Sequence, residues 1–172
     1  MWFDILLVII LTICVATDIK SRRIYNKFIF PTLLIALISH LFYGGWEALL
    51  GAFLGFLVGL GILLIPYLLG GMGAGDVKLL ALIGAIKGTT FVIDTALYMA
   101  ILGGLMAIFI LLFRPGWKNR FKAIFYFLYA LRYGVKIPLG MKRKGMQATY
   151  PYGVPIAAGA LLCLFAEGWR IL

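Results

Sequence analysis

The sequence predicts an all-α integral membrane protein with six transmembrane helices and an amphipathic segment at the cytoplasmic interface. Of its 172 residues, 64% are hydrophobic and only 13% are charged, against about 25% charged residues in an average soluble domain. A helix needs roughly 20 apolar residues to cross a bilayer, so this length holds about five to seven spans with short loops. We therefore expect residues 1–172 to form a single membrane domain.

The six apolar segments are separated by charges and by Gly/Pro clusters. They cover residues 2–17, 28–43, 48–69, 79–94, 95–113 and 151–169. The first segment carries Asp4 where a signal peptide would carry a basic residue, so it is predicted to be a retained span. The predicted breaks are the charged stretch 18–27, the short loop 44–47, the glycine-rich stretch 70–78, a weakly marked point near Asp94, and the long stretch 114–150.

The basic residues predict the orientation of the chain. With successive loops on alternating sides, 14 of the 16 Lys and Arg residues fall on one side, and only Lys87 and Arg170 fall elsewhere. Basic loops are retained in the cytoplasm. We therefore expect a multi-pass protein of the cell membrane with both termini external and with Asp18 and Asp76 on the cytoplasmic side. Because retention of basic loops in the cytoplasm accounts for the +10 net charge, no nucleic-acid partner is predicted.

The stretch 114–150 is basic and aromatic but too interrupted to cross a bilayer. Arg120 and Arg132 enclose only eleven residues, about half a span. Aromatic residues among lysines and arginines are typical of a helix lying on the anionic inner leaflet. The aromatic residues concerned are Phe121, Phe125, Tyr126, Tyr129 and Tyr133.

Small residues within the apolar segments predict close helix packing. Glycines recur every fourth residue at Gly51, Gly55 and Gly59 and again at Gly84 and Gly88. Such spacing lets helix backbones approach in lipid. Cys14 and Cys163 lie in apolar runs without a CxxC pattern, so they are predicted to be buried, unreactive thiols.

Two of the six acidic residues stand apart from the others. Asp4, Glu47, Asp94 and Glu167 fall at predicted external positions, where water solvates a charge. His40 is also predicted at the external end, and no catalytic role is assigned to it. Asp18 and Asp76 each lie where a span meets a cytoplasmic loop, and two spans separate them, so the two carboxylates are expected at the same depth.

Two carboxylates at one depth allow three interpretations. They could bind a divalent cation, although hard cations take more oxygen ligands than this face offers. They could pair with the nearby Lys20 and Lys78, or they could form an acid/base pair that shares one proton. Gly73 and Gly75 precede Asp76 and leave a backbone with little bulk, which a substrate or a facing helix can approach. This context favours the acid/base pair, with no metal and no cofactor.

Three motifs resemble those of the type IV prepilin peptidases. The segment from Asp18 to Asn26 resembles the family's D-x-x-x-x-x-I-P-N segment, with Tyr25 at the usual proline position. The segment Gly73-Ala74-Gly75-Asp76-Val77-Lys78-Leu79 resembles its GxGD-V-K-L motif. The stretch from Tyr150 to Pro155 resembles the P-[YF]-G-x-[PA] opening of the last span. The motifs occur in the family's order along nearly the whole chain.

The resemblance implies a six-span membrane aspartyl protease in which Asp18 and Asp76 are catalytic. It implies prepilin-like substrates cut on the cytoplasmic side of their hydrophobic segment, and a short peptidase-only form without a methyltransferase region. Five further residues are expected around the substrate and the active-site loop: Gly73, Gly75, Lys78, Lys20 and Asn26. The two lysines would either favour the ionised aspartate or point to lipid phosphates, and Asn26 would cap the second span or hold the loop.

The predicted function is a membrane endopeptidase that removes prepilin leaders. An ionised aspartate would take a proton from water while its protonated partner polarises the scissile carbonyl. The alternative is a small transporter coupled to protons or cations, since membrane carboxylates often serve that purpose. Transporter sites usually lie near the midplane, however, and no inverted repeat is evident. A non-catalytic pilus-assembly scaffold is a third possibility.

Overall fold

The computed structural model describes residues 1–113 and 152–170, and this part of the chain is helical. The helices are α1 (Trp2–Ser21), α2 (Asn26–Leu68), α3 (Ala74–Lys87), α4 (Thr89–Phe113) and α5 (Gly153–Arg170). No strand occurs in these two ranges, so the all-α prediction is confirmed. The predicted interfacial segment 114–150 lies outside the described residues.

Packing divides the chain into two compact units. The first is Met1–Gly103 with Thr149–Leu172, and it contains α1, α2, α3, α5 and most of α4. Of the second unit, Gly104–Ala148, the structure describes only the helical end of α4. The single-domain prediction stays a prediction.

Helix α2 is interrupted at Gly45, whose backbone angles (φ 65°, ψ −156°) are not helical. We call residues 26–44 the first arm and residues 46–68 the second arm. In the first arm Asn26 accepts a hydrogen bond from Lys78 of α3, and His40 lies 3.1 Å from the carbonyl oxygen of Ile86. Both pairs of residue numbers increase together, so the first arm runs parallel to α3.

The second arm contacts the same helix in the opposite direction. A β-carbon at Gly55 would overlap the carbonyl oxygen of Gly84, and one at Gly59 would lie 2.5 Å from the carbonyl oxygen of Leu80. Residue numbers rise along the second arm while those of the residues contacted fall along α3, so the second arm runs antiparallel to α3. The chain therefore reverses at Gly45, within the loop predicted at residues 44–47.

The close packing predicted for the glycines is confirmed at four positions and wrong at Gly51. Gly55, Gly59 and Gly84 bring the second arm and α3 into backbone contact, and a β-carbon at Gly55 would also lie 3.0 Å from the carbonyl carbon of Gly88. A β-carbon at Gly51 would meet nothing within 4 Å. Gly88 has a second role, because it ends α3 with a φ of 90°, a backbone angle that residues with a side chain rarely adopt.

The break predicted near Asp94 is wrong. The chain turns at Gly88, and the next helix already begins at Thr89. Asp94 lies within α4 and is exposed. A charged residue normally marks the end of a span. Here the positive φ of Gly88 ends the helix six residues before Asp94.

Helix α3 occupies the core of the first unit. Every residue from Leu79 to Ile86 is buried. Helix α1 runs antiparallel to it, since Asp4 contacts Lys87 near one end while Asp18 lines a cavity with Asp76 at the other. Leu7, Ile10, Leu11 and Cys14 form the buried face of α1 in the same cluster.

Among the described residues, three helices are long and apolar enough to cross a membrane: Trp2–Ser21, Asn26–Leu68 and the stretch Thr89–Phe109. The shorter stretch Gly153–Ala166 is also apolar. Cys14 and Cys163 are both buried, as predicted.

Candidate active site

Asp18 and Asp76 line one cavity of about 390 Å³. Asp18 lies in the last turn of α1 and Asp76 in the first turn of α3. Their exposed fractions are 5% and 8%. The structure thus brings together the two carboxylates that the sequence places at one depth. Their shared cavity is also lined by Arg22, Arg23, Ile24, Tyr25, Asn26, Gly73, Ala74 and Gly75.

The end of α1 fixes the backbone at Asp18. Arg22 adopts a left-handed conformation (φ 50°, ψ 36°), and its N–H donates to the carbonyl oxygen of Asp18 at 2.7 Å. A left-handed C-cap satisfies a helix carbonyl and turns the chain sharply. The turn leads the chain directly into the loop that lines the cavity.

Two glycines shape the start of α3 around Asp76. The N–H of Gly73 donates to Oδ2 of Asp76 at 3.2 Å, and the Asp76 N–H donates back to the Gly73 carbonyl at 3.1 Å. A β-carbon at Gly75 would lie 2.9 Å from the Cβ of Ile24. The missing side chain at Gly75 therefore lets α3 approach the loop that follows Asp18.

Asp18 has a partner that the sequence reasoning missed. The N–H of Gly153, the first residue of α5, donates to Oδ2 of Asp18 at 2.9 Å. A β-carbon at Gly153 would lie only 2.7 Å from the same oxygen. The available signal was the stretch from Tyr150 to Pro155, which resembles the opening of the family's last span but gave no indication of a contact with Asp18.

Asp18 and Asp76 do not form ion pairs with the described basic side chains. Within residues 1–113 and 152–166, no basic side chain lies within ion-pair distance of Asp18 or Asp76. Burial raises the pKa of Asp76, which precedes the apolar segment 79–94, to about 6. The Gly73 hydrogen bond lowers this pKa and the negative charge of Asp18 raises it.

Lys78 and Asn26 bind each other. The Nζ of Lys78 donates to Oδ1 of Asn26 at 3.0 Å and lies 5.7 Å from the ring centroid of Phe30. Lys20 is exposed and does not line the cavity. Pairing of these lysines with the aspartates is therefore not observed. The capping role preferred for Asn26 is wrong, since Tyr25 occupies the N-cap and Asn26 connects the loop to α3.

The opposite end of the helices holds Asp4 and His40. Asp4 is partly exposed, but it also lies 2.9 Å from both the Nζ of Lys87 and the N-terminal amine, two partners that its predicted solvation at the external end did not include. His40 stacks on Phe3 with ring centroids 4.2 Å apart. Its contact with Ile86 places it away from the aspartate pair, as expected.

Two of the three remaining acidic residues do not line the cavity. Glu47 and Asp94 are exposed, as predicted, and the side chain of Glu167 lies outside the described residues. In the described ranges, no three His, Cys, Asp or Glu side chains cluster in a way that could hold a metal ion.

The fold and the cavity define a class of protein: an all-helical chain with membrane-length helices and a buried carboxylate pair at one end. The chain matches the family model described as the type IV leader peptidase family over residues 5–108 and belongs to that family. It is therefore a membrane protein with a leader peptidase-like function. Comparisons with curated proteins and with solved structures gave no match.

Proposed function

We propose that this chain is an aspartic endopeptidase whose catalytic residues are Asp18 and Asp76. The observation that carries this proposal is the shared cavity: two helices far apart in sequence each bury a carboxylate there, without a basic partner among the described residues. Burying unpaired carboxylates lowers stability. Acid/base chemistry is a functional reason for the two carboxylates to lie close together despite this loss of stability.

The two carboxylates can divide the steps of peptide hydrolysis. Burial favours the protonated form of Asp76, so Asp76 polarises the scissile carbonyl as the acid. Asp18 takes a proton from the attacking water as the base. The roles then exchange: protonated Asp18 delivers its proton to the departing amine, and ionised Asp76 recovers a proton from the tetrahedral intermediate.

The cavity suits an extended peptide. One side is formed by Gly73, Ala74 and Gly75, which expose backbone and little side chain. A main chain can approach such a surface more closely than a bulky one. Family membership implies a prepilin-like substrate, and the leader junction next to a hydrophobic segment is the bond we expect to enter here.

We propose six membrane crossings, with the two arms of α2 counted separately. The arms run in opposite directions along α3, which gives six helical segments in residues 1–113 and 152–170. The basic residues place the Asp18–Asp76 end in the cytoplasm and both termini outside. The anionic inner leaflet then faces the cavity end.

Thiol labelling tests this orientation. Glu47→Cys and Lys20→Cys each introduce an exposed thiol, the former at the start of the second arm and the latter at the end of α1. An impermeant maleimide on intact cells should label position 47 only, and both positions after lysis. The unmodified chain is the background control, because Cys14 and Cys163 are buried. Labelling of position 20 alone on intact cells would reverse the orientation.

Co-expression with a prepilin-like protein tests the chemistry. Asp18→Asn and Asp76→Asn should each abolish the leader-sized mobility shift while membrane expression is retained, because an amide cannot exchange a proton with water. Asp94→Asn is the matched control, since Asp94 is exposed and away from the cavity. Cleavage should persist in excess EDTA. Full cleavage by either site variant, or a loss with EDTA that metal restores, would contradict the aspartic mechanism.

A further inference from the structure

The first turn of α5 contacts the Asp18 carboxylate at a buried position. Gly153 is buried, and its N–H donates to Oδ2 of Asp18 across 135 residues of sequence. The N···O distance of 2.9 Å is that of a well-formed hydrogen bond. The chain thus brings a third helix to the aspartate pair.

The donor is a group that the helix itself does not use. The first N–H groups of a helix have no intrahelical acceptor. They also carry the positive end of the helix dipole, which stabilises a nearby anion. A hydrogen bond from such an N–H to a carboxylate favours the charged form and fixes the orientation of that oxygen.

Glycine is needed at this position on steric grounds. A β-carbon on residue 153 would lie 2.7 Å from Oδ2, 3.1 Å from Cγ and 3.2 Å from Cβ of Asp18. Any other L-residue would push the carboxylate away from its donor. Oδ2 of Asp18 therefore depends on residue 153 in two ways. It accepts the hydrogen bond from the N–H, and it keeps its position because residue 153 has no side chain.

We infer that Gly153 is a positioning residue that orients Asp18 as the base of the pair and favours its ionised form. The inference rests on the proposed aspartic mechanism and goes beyond it, since it gives the two carboxylates different roles. The other charged or titratable groups lining the cavity are Arg22, Arg23, Tyr25 and Asp76. None of these groups forms a described hydrogen bond to Oδ2 of Asp18, whereas Gly153 does.

Replacing the Gly153 amide by an ester is the sharpest test. Glycolic acid at position 153, introduced by cell-free translation into nanodiscs, removes the N–H and adds no bulk. The cleavage of a quenched fluorescent peptide spanning a prepilin leader junction reports kcat and KM. We expect kcat to fall about tenfold to a hundredfold, as for loss of a hydrogen bond to a charged group. KM should stay within twofold and the thermal unfolding midpoint should not change.

Gly153→Ala provides a second variant with a matched control in the same helix. It should lower kcat about a hundredfold or more. Gly159→Ala places a β-carbon 2.8 Å from the carbonyl oxygen of Thr95 and 2.9 Å from the N of Met99, a similar clash away from the aspartates. Gly159→Ala should lower the unfolding midpoint and retain the kcat of the folded enzyme.

Three results would overturn the inference. The first is a kcat within twofold of the original for the ester at position 153 while Asp18→Asn is inactive. The second is an equal loss of kcat in Gly159→Ala and Gly153→Ala, which would mean that α5 packing alone matters. Activity of Asp18→Asn itself would overturn the proposed function as well, so the two failures are distinguishable.

Discussion

The carboxylates at the two ends of the first unit have different kinds of partners. At one end Asp4 lies 2.9 Å from two cationic nitrogens, those of Lys87 and of the chain terminus. At the other end Asp18 and Asp76 are more deeply buried and accept hydrogen bonds from backbone N–H groups.

On the proposed mechanism, this difference is the one between a structural charge and a pair used for acid/base chemistry. A carboxylate with a cation beside it is stabilised in its ionised form. Two carboxylates in one cavity without such a partner destabilise each other when both are ionised, so the pair tends to keep one proton that it can donate. The comparison predicts that removing a charge has opposite effects at the two ends.

Stability measurements give the largest contrast. The folded-state pKa of Asp76, about 6, exceeds its ordinary value of 3.8, so the folded protein holds this proton more tightly than the unfolded chain. Stability therefore falls as pH rises through that window. Asp76→Asn should raise the free energy of unfolding in detergent by up to about 3 kcal/mol at pH 8 and leave it unchanged near pH 3.

The matched variant at the other end is Asp4→Asn. It removes a partly exposed ion pair and should lower the free energy of unfolding by about 0.5–1 kcal/mol at pH 8. Equal signs for the two variants in parallel unfolding curves would break the comparison between the ends.

Gly75→Ala tests whether the site end depends on close approach of α3 to its loop. The added β-carbon would lie 2.9 Å from the Cβ of Ile24 and should separate Asp76 from Asp18. We expect kcat to fall about thirtyfold, which corresponds to about 2 kcal/mol of overpacking. Gly51→Ala meets nothing within 4 Å and should be neutral. Peptide cleavage assays that give the two variants equal activity would exclude this role for Gly75.

The pH dependence of cleavage sharpens the assignment of acid and base. Since Asp76 must be protonated to act as the acid, and its pKa is raised to about 6, kcat should decline above that pH. The decline should approach tenfold per pH unit, and the profile should be bell-shaped with both limbs belonging to the pair. A rate that stays level from pH 6 to pH 9 in detergent would rule out the shared proton.

The smallest expected effect concerns the bond between Lys78 and Asn26. Lys78→Met keeps the aliphatic stem near Phe30 and removes the donor, and Asn26→Ala removes the acceptor. Each should lower the free energy of unfolding by about 1 kcal/mol, and the double variant should cost less than the sum. Lys20→Met, at an exposed position, is the control. Additive losses in unfolding curves would show that the two side chains act independently.

The sequence carried enough information to predict the helical class and the meeting of the two aspartates. Segment 28–43 and segment 48–69 are each apolar, and the glycines between them mark a reversal that the structure contains at Gly45. Counting two crossings then brings Asp18 and Asp76 to one end. This reasoning needs only hydropathy and chain direction, which are local properties.

The contacts that the sequence did not reveal are those made across long separations. Gly153 lies 135 residues from Asp18, and Lys87 lies 83 residues from Asp4. Neither pairing follows from spacing, because it depends on which helices pack and how they are rotated. The turn at Gly88 was missed for a local reason: a glycine four residues after Gly84 fits a packing repeat, and the repeat gives no sign of the positive φ that ends the helix there.

Helix α3 has a consequence for how the protein reaches the bilayer. Its 14 residues extend about 21 Å, less than the roughly 30 Å hydrocarbon thickness. It is not among the helices long enough to span alone. The two arms of α2 cover it instead, so its insertion is a step of folding against protein and not of partitioning into lipid. We therefore expect the two arms of α2 to insert before α3 during biogenesis, and Asp76 to reach Asp18 only once α3 has packed against them.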